Sequence, residues 1–242
     1  FQAEDGIRDS VASRGLGDVY KRQPEWHAAV NYYVNLMQNY GPPGASANGH
    51  NENRALFADA KCATWVDATS AAGYQRNKDT SNVSSVTDFF QAPKQATDKG
   101  TGWFWSWAMA IPSSSQEVDV AKDFLKWATS KEYFKKVGAT KGWVAVPSGA
   151  RKSIEEDSRR LAAAPFAKGI VEAIMSVDPT DPSLLPVPYT GVQFVAIPEF
   201  QGIGNYVGQQ VAAALAGQQS VEEALENSQK FAAREMSKAG YN

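Results

Sequence analysis

The chain has 242 residues, of which 43% are hydrophobic and 21% charged, and its net charge is -2. That balance gives no basic face for nucleic acid, and no run approaches the ~20 apolar residues that a membrane helix needs. The single cysteine, Cys62, excludes an internal disulfide and reads as a buried small hydrophobe. The two histidines, His27 and His50, have no partner at metal-ligand spacing, so neither a metal nor another cofactor is expected.

Residues 1–23, "FQAEDGIRDSVASRGLGDVYKRQ", show no apolar periodicity and no apolar core of a secretion signal. The string closely resembles the translated product of a sequencing adapter. It is expected to be a non-native, disordered tail, with the chain itself the carboxy-terminal part of a longer protein.

Residues 24–40 place Trp26, Val30, Tyr33 and Met37 at helical spacing before "GPPG" stops the helix. A shorter helix is expected over 48–60, a strand over 61–67, a turn into a helix at "ATSAAG", and a strand over 85–90. In "TGWFWSWAMAIP" the indoles of Trp103, Trp105 and Trp107 alternate, which in a strand puts them on one face. A helix follows "SSS" and Gln116, with Val118, Ala121, Leu125 and Ala128 as its apolar stripe. Another covers 131–137 and ends near Gly138. "GWVAVP" reads as extended, and helices are expected around 153–163 and 165–177.

The four prolines between 179 and 188 force a wandering path without a continuous helix, like a crossover between lobes. Pro198 suits a first helical turn, and Ile203, Val207, Val211 and Leu215 carry that helix to Gly217. "SVEE" after Gln219 matches a capping box for the last helix. "GIGNYVG" half-imitates a dinucleotide fingerprint but lacks the preceding strand, so close helix packing explains its glycines better. Mixed strands and helices indicate an α/β class with few strands.

Taken together, "FADAKCATWVDAT", "GWFWSWAMAIPSSS", "FLKWATSKEYFKKVGATKGWVAVPSGAR" and "PYTGVQFVAIPEFQGIGNYVGQQVAAALAGQQSVEEAL" resemble the solute-binding proteins of bacterial ABC transporters, in the polyol (mannitol/sorbitol) group of the sugar-binding class. The pattern departs at "VPSGAR", where Ser148 and Ala150 replace a proline and a threonine. The resemblance implies a type II periplasmic-binding fold of two α/β lobes gripping the ligand. It places 24–100 in the carboxy-terminal lobe, 101–178 in a return segment of the amino-terminal lobe, and 179–242 in the crossover and closing helices. It further implies a periplasmic monomer that is no enzyme, binds a polyol or sugar and meets membrane permease subunits, without nucleic acid or a membrane span.

Polyols offer CH faces to flat rings and hydroxyls to charged or amide groups. The candidate ligand residues are therefore Trp65, Asp67, Trp103, Trp105, Arg151, Tyr189, Gln193, Glu199 and Gln201. Each also has a plainer reading. The tryptophans can be core, Asp67 a helix N-cap, Arg151 a surface ion pair, and Glu199 a dipole-favoured acid in a first turn. Trp107 is assigned to packing. A glycosidase-like enzyme is the rival, because rings and carboxylates also build such sites. A third reading is a truncated chain that binds nothing.

Overall fold

The computed structural model describes residues 24–93, 105–181 and 197–241. They form two compact units that do not follow chain order. One joins residues 24–48 with 178–181 and 197–241; the other joins 49–93 with 105–177. The segment 24–100, read from the sequence as one piece, is thus divided after Asn48.

Among the described residues the first unit is three α-helices around one core. Helix α1 (Pro24–Tyr40) begins on a proline, whose fixed φ suits a first turn. It buries Trp26, Val30 and Val34, whereas Tyr33 is 37% exposed. The buried stripe is therefore Trp26, Val30 and Val34, with Met37 half-buried against it, and Tyr33 falls outside. Helices α9 (Phe200–Leu215) and α10 (Val221–Lys238) complete the unit. Ile203, Val207, Leu215, Leu225 and Met236 meet the α1 residues in that core. Burying such side chains contributes roughly 1.5–3 kcal/mol each. The capping box forms as expected: Ser220 Oγ accepts from the Glu223 amide at 3.1 Å, and Glu223 Oε2 accepts from the Ser220 amide at 2.9 Å.

A Cβ at Gly202, Gly204 or Gly208 meets no described atom within 4 Å. Among the described residues, close packing therefore does not account for the glycines of "GIGNYVG".

The second unit holds α2 (His50–Ala58), α3 (Ala72–Arg76), α4 (Val118–Ala128), α5 (Lys131–Lys141), α6 (Lys152–Glu155), α7 (Ser158–Ala163) and α8 (Ala167–Ser176). Its cores are small. One gathers Ala72, Ala164, Phe166 and Ile170, the other Phe134, Val146 and Ile154. The predicted stripe of α4 is half-buried throughout, while Val120 and Phe124 are exposed.

Gly138 does not end α5. The helix continues to Lys141, and Gly142, at φ 89°, makes the stop. Gly138 is buried against the Trp143 indole. The helix expected over 153–163 is two short ones, α6 and α7, with Asp157 capping α7 by accepting from the Arg159 amide. "GWVAVP" opens with a 3-10 turn, Trp143–Ala145, before extending. Cys62, read as buried, is half-buried.

No strand is assigned among the described residues. The stretches 61–67 and 105–111 take neither helix nor strand, and the strand expected over 85–90 begins inside a run of turns at 82–86. An extended segment becomes a strand only when a neighbouring backbone supplies the ladder, and none does among the described residues. Arg76 Nη1 instead holds the 84–87 turn, donating to the carbonyls of Ser84 and Thr87 at 3.0 and 2.9 Å.

Candidate functional site

In the second unit α2 ends at Ala58, and Ala60 takes a left-handed φ of 58° that reverses the chain. The Lys61 amide returns to the Leu56 carbonyl at 2.9 Å. The chain then runs back past α2, so that Trp65 meets two residues of one helix face, seven apart. Its indole lies 5.5 Å from the His50 ring and 6.2 Å from the Phe57 ring.

Two residues on, Asp67 Oδ2 lies 3.1 Å from His50 Nδ1, and Oδ1 accepts from the Ala68 amide at 2.6 Å. The following 3-10 turn, Thr69–Ala71, has Ala68 as its cap and no side-chain cap bond, so Asp67 is not an N-cap. His50 was passed over in the sequence because no partner lies nearby. The fold supplies one from 17 residues away.

Trp105 and Trp107 lie together, their rings 5.6 Å apart and tilted by 47°. Trp105 is 45% exposed and Trp107 87%. The assignment of Trp107 to packing is therefore corrected. A core role needs an apolar neighbour on the far side, and none covers this ring among the described residues. Trp107 and Met109 form one side of a groove of about 450 Å³, with Leu125, Lys126 and Thr129 of α4 and its end on the other.

Arg151 is tied to that end of the groove, donating from Nε to the Thr129 carbonyl at 2.5 Å. It makes no salt bridge among the described residues, so the surface ion-pair reading does not hold there. Trp65 with Asp67 forms one corner, and Trp105 with Trp107 and Arg151 bear on the groove.

In the first unit, Glu199 precedes α9 with helical backbone angles, and its carbonyl accepts from the Ile203 amide at 3.0 Å. Its side chain is half-buried, with Oε2 sealed and without a hydrogen-bond partner among the described residues. Gln201 is exposed. Trp103, Tyr189 and Gln193 lie outside the described residues.

The stretch 143–149, which carries the departure at Ser148, is held by a buried charge pair. Arg160 has no exposed surface, and its Nε lies 3.4 Å from Glu155 Oε2, whose side chain is 2% exposed. The guanidinium donates to the carbonyls of Trp143 and Val144 and, at 2.7 Å, to Ser148 Oγ. Glu155 Oε1 accepts from the Gly149 amide at 2.9 Å. Burial pushes the Arg160 guanidinium below its ordinary range, and the Glu155 charge opposes that shift. This stretch forms one wall of a cavity of about 250 Å³, faced by Tyr74, Asn77 and Thr80.

Among the described residues no three His, Cys, Asp or Glu side chains could hold a metal ion. No described helix is long and apolar enough to cross a membrane.

The family model of bacterial extracellular solute-binding proteins matches residues 11–133, just over half of the chain. The chain belongs to that family. Its match begins inside the first 23 residues. A mannitol-binding protein of Pseudomonas aeruginosa is 51% identical over 217 residues, 90% of this chain and 50% of its own length. The ABC transporter solute-binding protein of Agrobacterium vitis S4, solved with bound D-mannitol, superposes with a TM-score of 0.88 at 47% identity. The alignment covers 97% of this chain and 57% of that one. A solute-binding protein of Agrobacterium radiobacter K84, solved in complex with ribitol, has a TM-score of 0.72 at 22% identity, over 96% of this chain and 55% of that one; this likeness shows the fold alone.

The family thus adopts the expected type II periplasmic-binding fold, of which this chain carries a helix-rich portion. It spans about half the length of the relatives it matches. Those relatives are named as binding proteins rather than enzymes.

Proposed function

We propose that the complete protein is the solute-binding component of an ABC importer. It holds a polyol, mannitol- or sorbitol-like, between two lobes and passes it to membrane permease subunits. The observation that carries this reading is the 51% identity, across nine-tenths of the chain, to a protein named for mannitol binding. Geometry adds support: exposed indoles at Trp105 and Trp107 offer flat apolar seats, and Asp67 beside Trp65 offers a carboxylate to hydroxyls.

Trp65, Asp67, Trp105, Arg151, Glu199 and Gln201, with Trp103, Tyr189 and Gln193, are the proposed ligand residues, and the exposed Trp107 joins them. The protein works as a monomer in the periplasm, without nucleic acid, cofactor or chemistry of its own. The lobe division expected from the sequence is carried with one shift: residues 49–93 act with 105–177 rather than with 24–48. The stretches 61–67 and 105–111 then serve as sheet strands once a neighbouring backbone pairs with them.

A glycosidase needs two carboxylates flanking one bond, whereas Asp67 has a histidine beside it. The test expresses the complete reading frame and incubates it with polyols and aryl glycosides. Unchanged polyol together with a raised melting temperature is expected. Turnover of a glycoside overturns the receptor reading.

A further inference from the structure

We infer that His50 is a positioning residue for Asp67, and that the two form with Trp65 a subsite for adjacent hydroxyls of the ligand. This rests on the polyol reading above. His50 Nδ1 and Asp67 Oδ2 are 3.1 Å apart, within hydrogen-bond reach, and an ionised carboxylate can only accept. The imidazole must therefore carry its proton on Nδ1, which in the neutral ring leaves Nε2 as an acceptor.

The Ala68 amide holds the other carboxylate oxygen at 2.6 Å, so the group is fixed at both ends. Of roughly four lone-pair sites on a carboxylate, two are used, and two are left to accept from a ligand. The imidazole–carboxylate pair thus turns acceptors toward a ligand, which suits hydroxyl donors and disfavours anions. Trp65, 5.5 Å from the imidazole, supplies the apolar ring against which a CH face can lie. The side chains of His50 and Asp67 are 44% and 27% exposed, so solute can reach both.

Two measurements test the inference. Long-range nitrogen NMR on the 242-residue chain, at a pH of about 8.5 where histidine is neutral, is expected to show His50 as the Nδ1–H tautomer. An Nε2–H tautomer overturns the inference. Mannitol calorimetry on the protein from its complete reading frame is expected to show affinity about tenfold weaker for H50A, as loss of a charge-assisted hydrogen bond implies.

H50N, whose amide nitrogen can replace Nδ1, is expected to recover binding to within about threefold. The pair H50A/D67A should bind no worse than D67A alone, since His50 acts through the carboxylate. Wild-type affinity in H50A overturns this inference alone. A wild-type protein that binds no polyol overturns the functional reading, and this inference falls with it.

Discussion

Gly138 packs its bare α-carbon against the indole of Trp143: a Cβ built there would lie 2.8 Å from both Cδ2 and Cε2 of that ring. The indole cannot simply retreat, because the Arg159 guanidinium lies over it, 4.4 Å from the ring. Gly138→Ala should therefore cost about 1–3 kcal/mol by overpacking, more than the ~1 kcal/mol that alanine returns in a helix. Gly208→Ala, in open space within α9, should instead stabilise by up to ~1 kcal/mol. Urea unfolding of the two variants checks the opposite signs.

Arg160 and Glu155 predict a different pattern. Removing one partner of a sealed ion pair strands the other charge, which typically costs 3–5 kcal/mol. Arg160→Met and Glu155→Ala should each lower the melting temperature steeply. The double variant should fall short of the sum, because neither charge is then left alone. Additive losses in differential scanning calorimetry would contradict the pairing.

The cap of α10 gives a pH dependence. The Ser220 amide and hydroxyl both donate to Glu223, which holds that carboxyl below its usual range. A depressed native pKa means that the stabilisation is present above the unfolded value and is lost as pH falls through the folded one. Ser220→Ala should cost about 1 kcal/mol at pH 7, and its deficit should shrink as the solution is acidified below the carboxylate range. Helix content followed by circular dichroism from pH 7 to pH 2 reads the change.

How much of this was legible beforehand divides by the range of the interaction. Helix α1, the proline start, the glycine stops and the Ser220 cap all depend on residues within a few positions, and the sequence carries them directly. Gly138 misled because glycine both ends helices and permits close packing, and only the fold shows that Trp143 occupies the space. Tyr33 lost its buried place to Val34, a one-residue rotation of the stripe that spacing alone does not resolve. The strands expected at 61–67, at 85–90 and in the tryptophan stretch 101–112 need a partner backbone, which no local pattern contains. The His50–Asp67 contact spans 17 residues, so no motif could announce it.

The tryptophans offer a functional prediction. In the protein from its complete reading frame, Trp105→Ala and Trp107→Ala should weaken mannitol binding about tenfold each, as lost stacking of ~1 kcal/mol or more implies, with little change in melting. Trp26→Ala, which empties the first unit's core, should instead cost about 3–5 kcal/mol of stability. Calorimetry and thermal melts side by side separate the two outcomes.

The 242-residue chain by itself, carrying about half of its relatives' length, is expected to bind mannitol more weakly than micromolar. Titration calorimetry decides it, and a micromolar isotherm would show that these 242 residues suffice.

Arg160 also bears on how freely this protein can be rewritten. Its guanidinium seizes the oxygens of Trp143 and Val144 rather than their side chains, so those two bonds outlast a change of side chain at Val144, provided the newcomer still packs on the Ala72, Phe166 and Ile170 core. A library of apolar residues there can explore new cavity walls while the arginine keeps the bend, whereas replacing that arginine would release every variant at once.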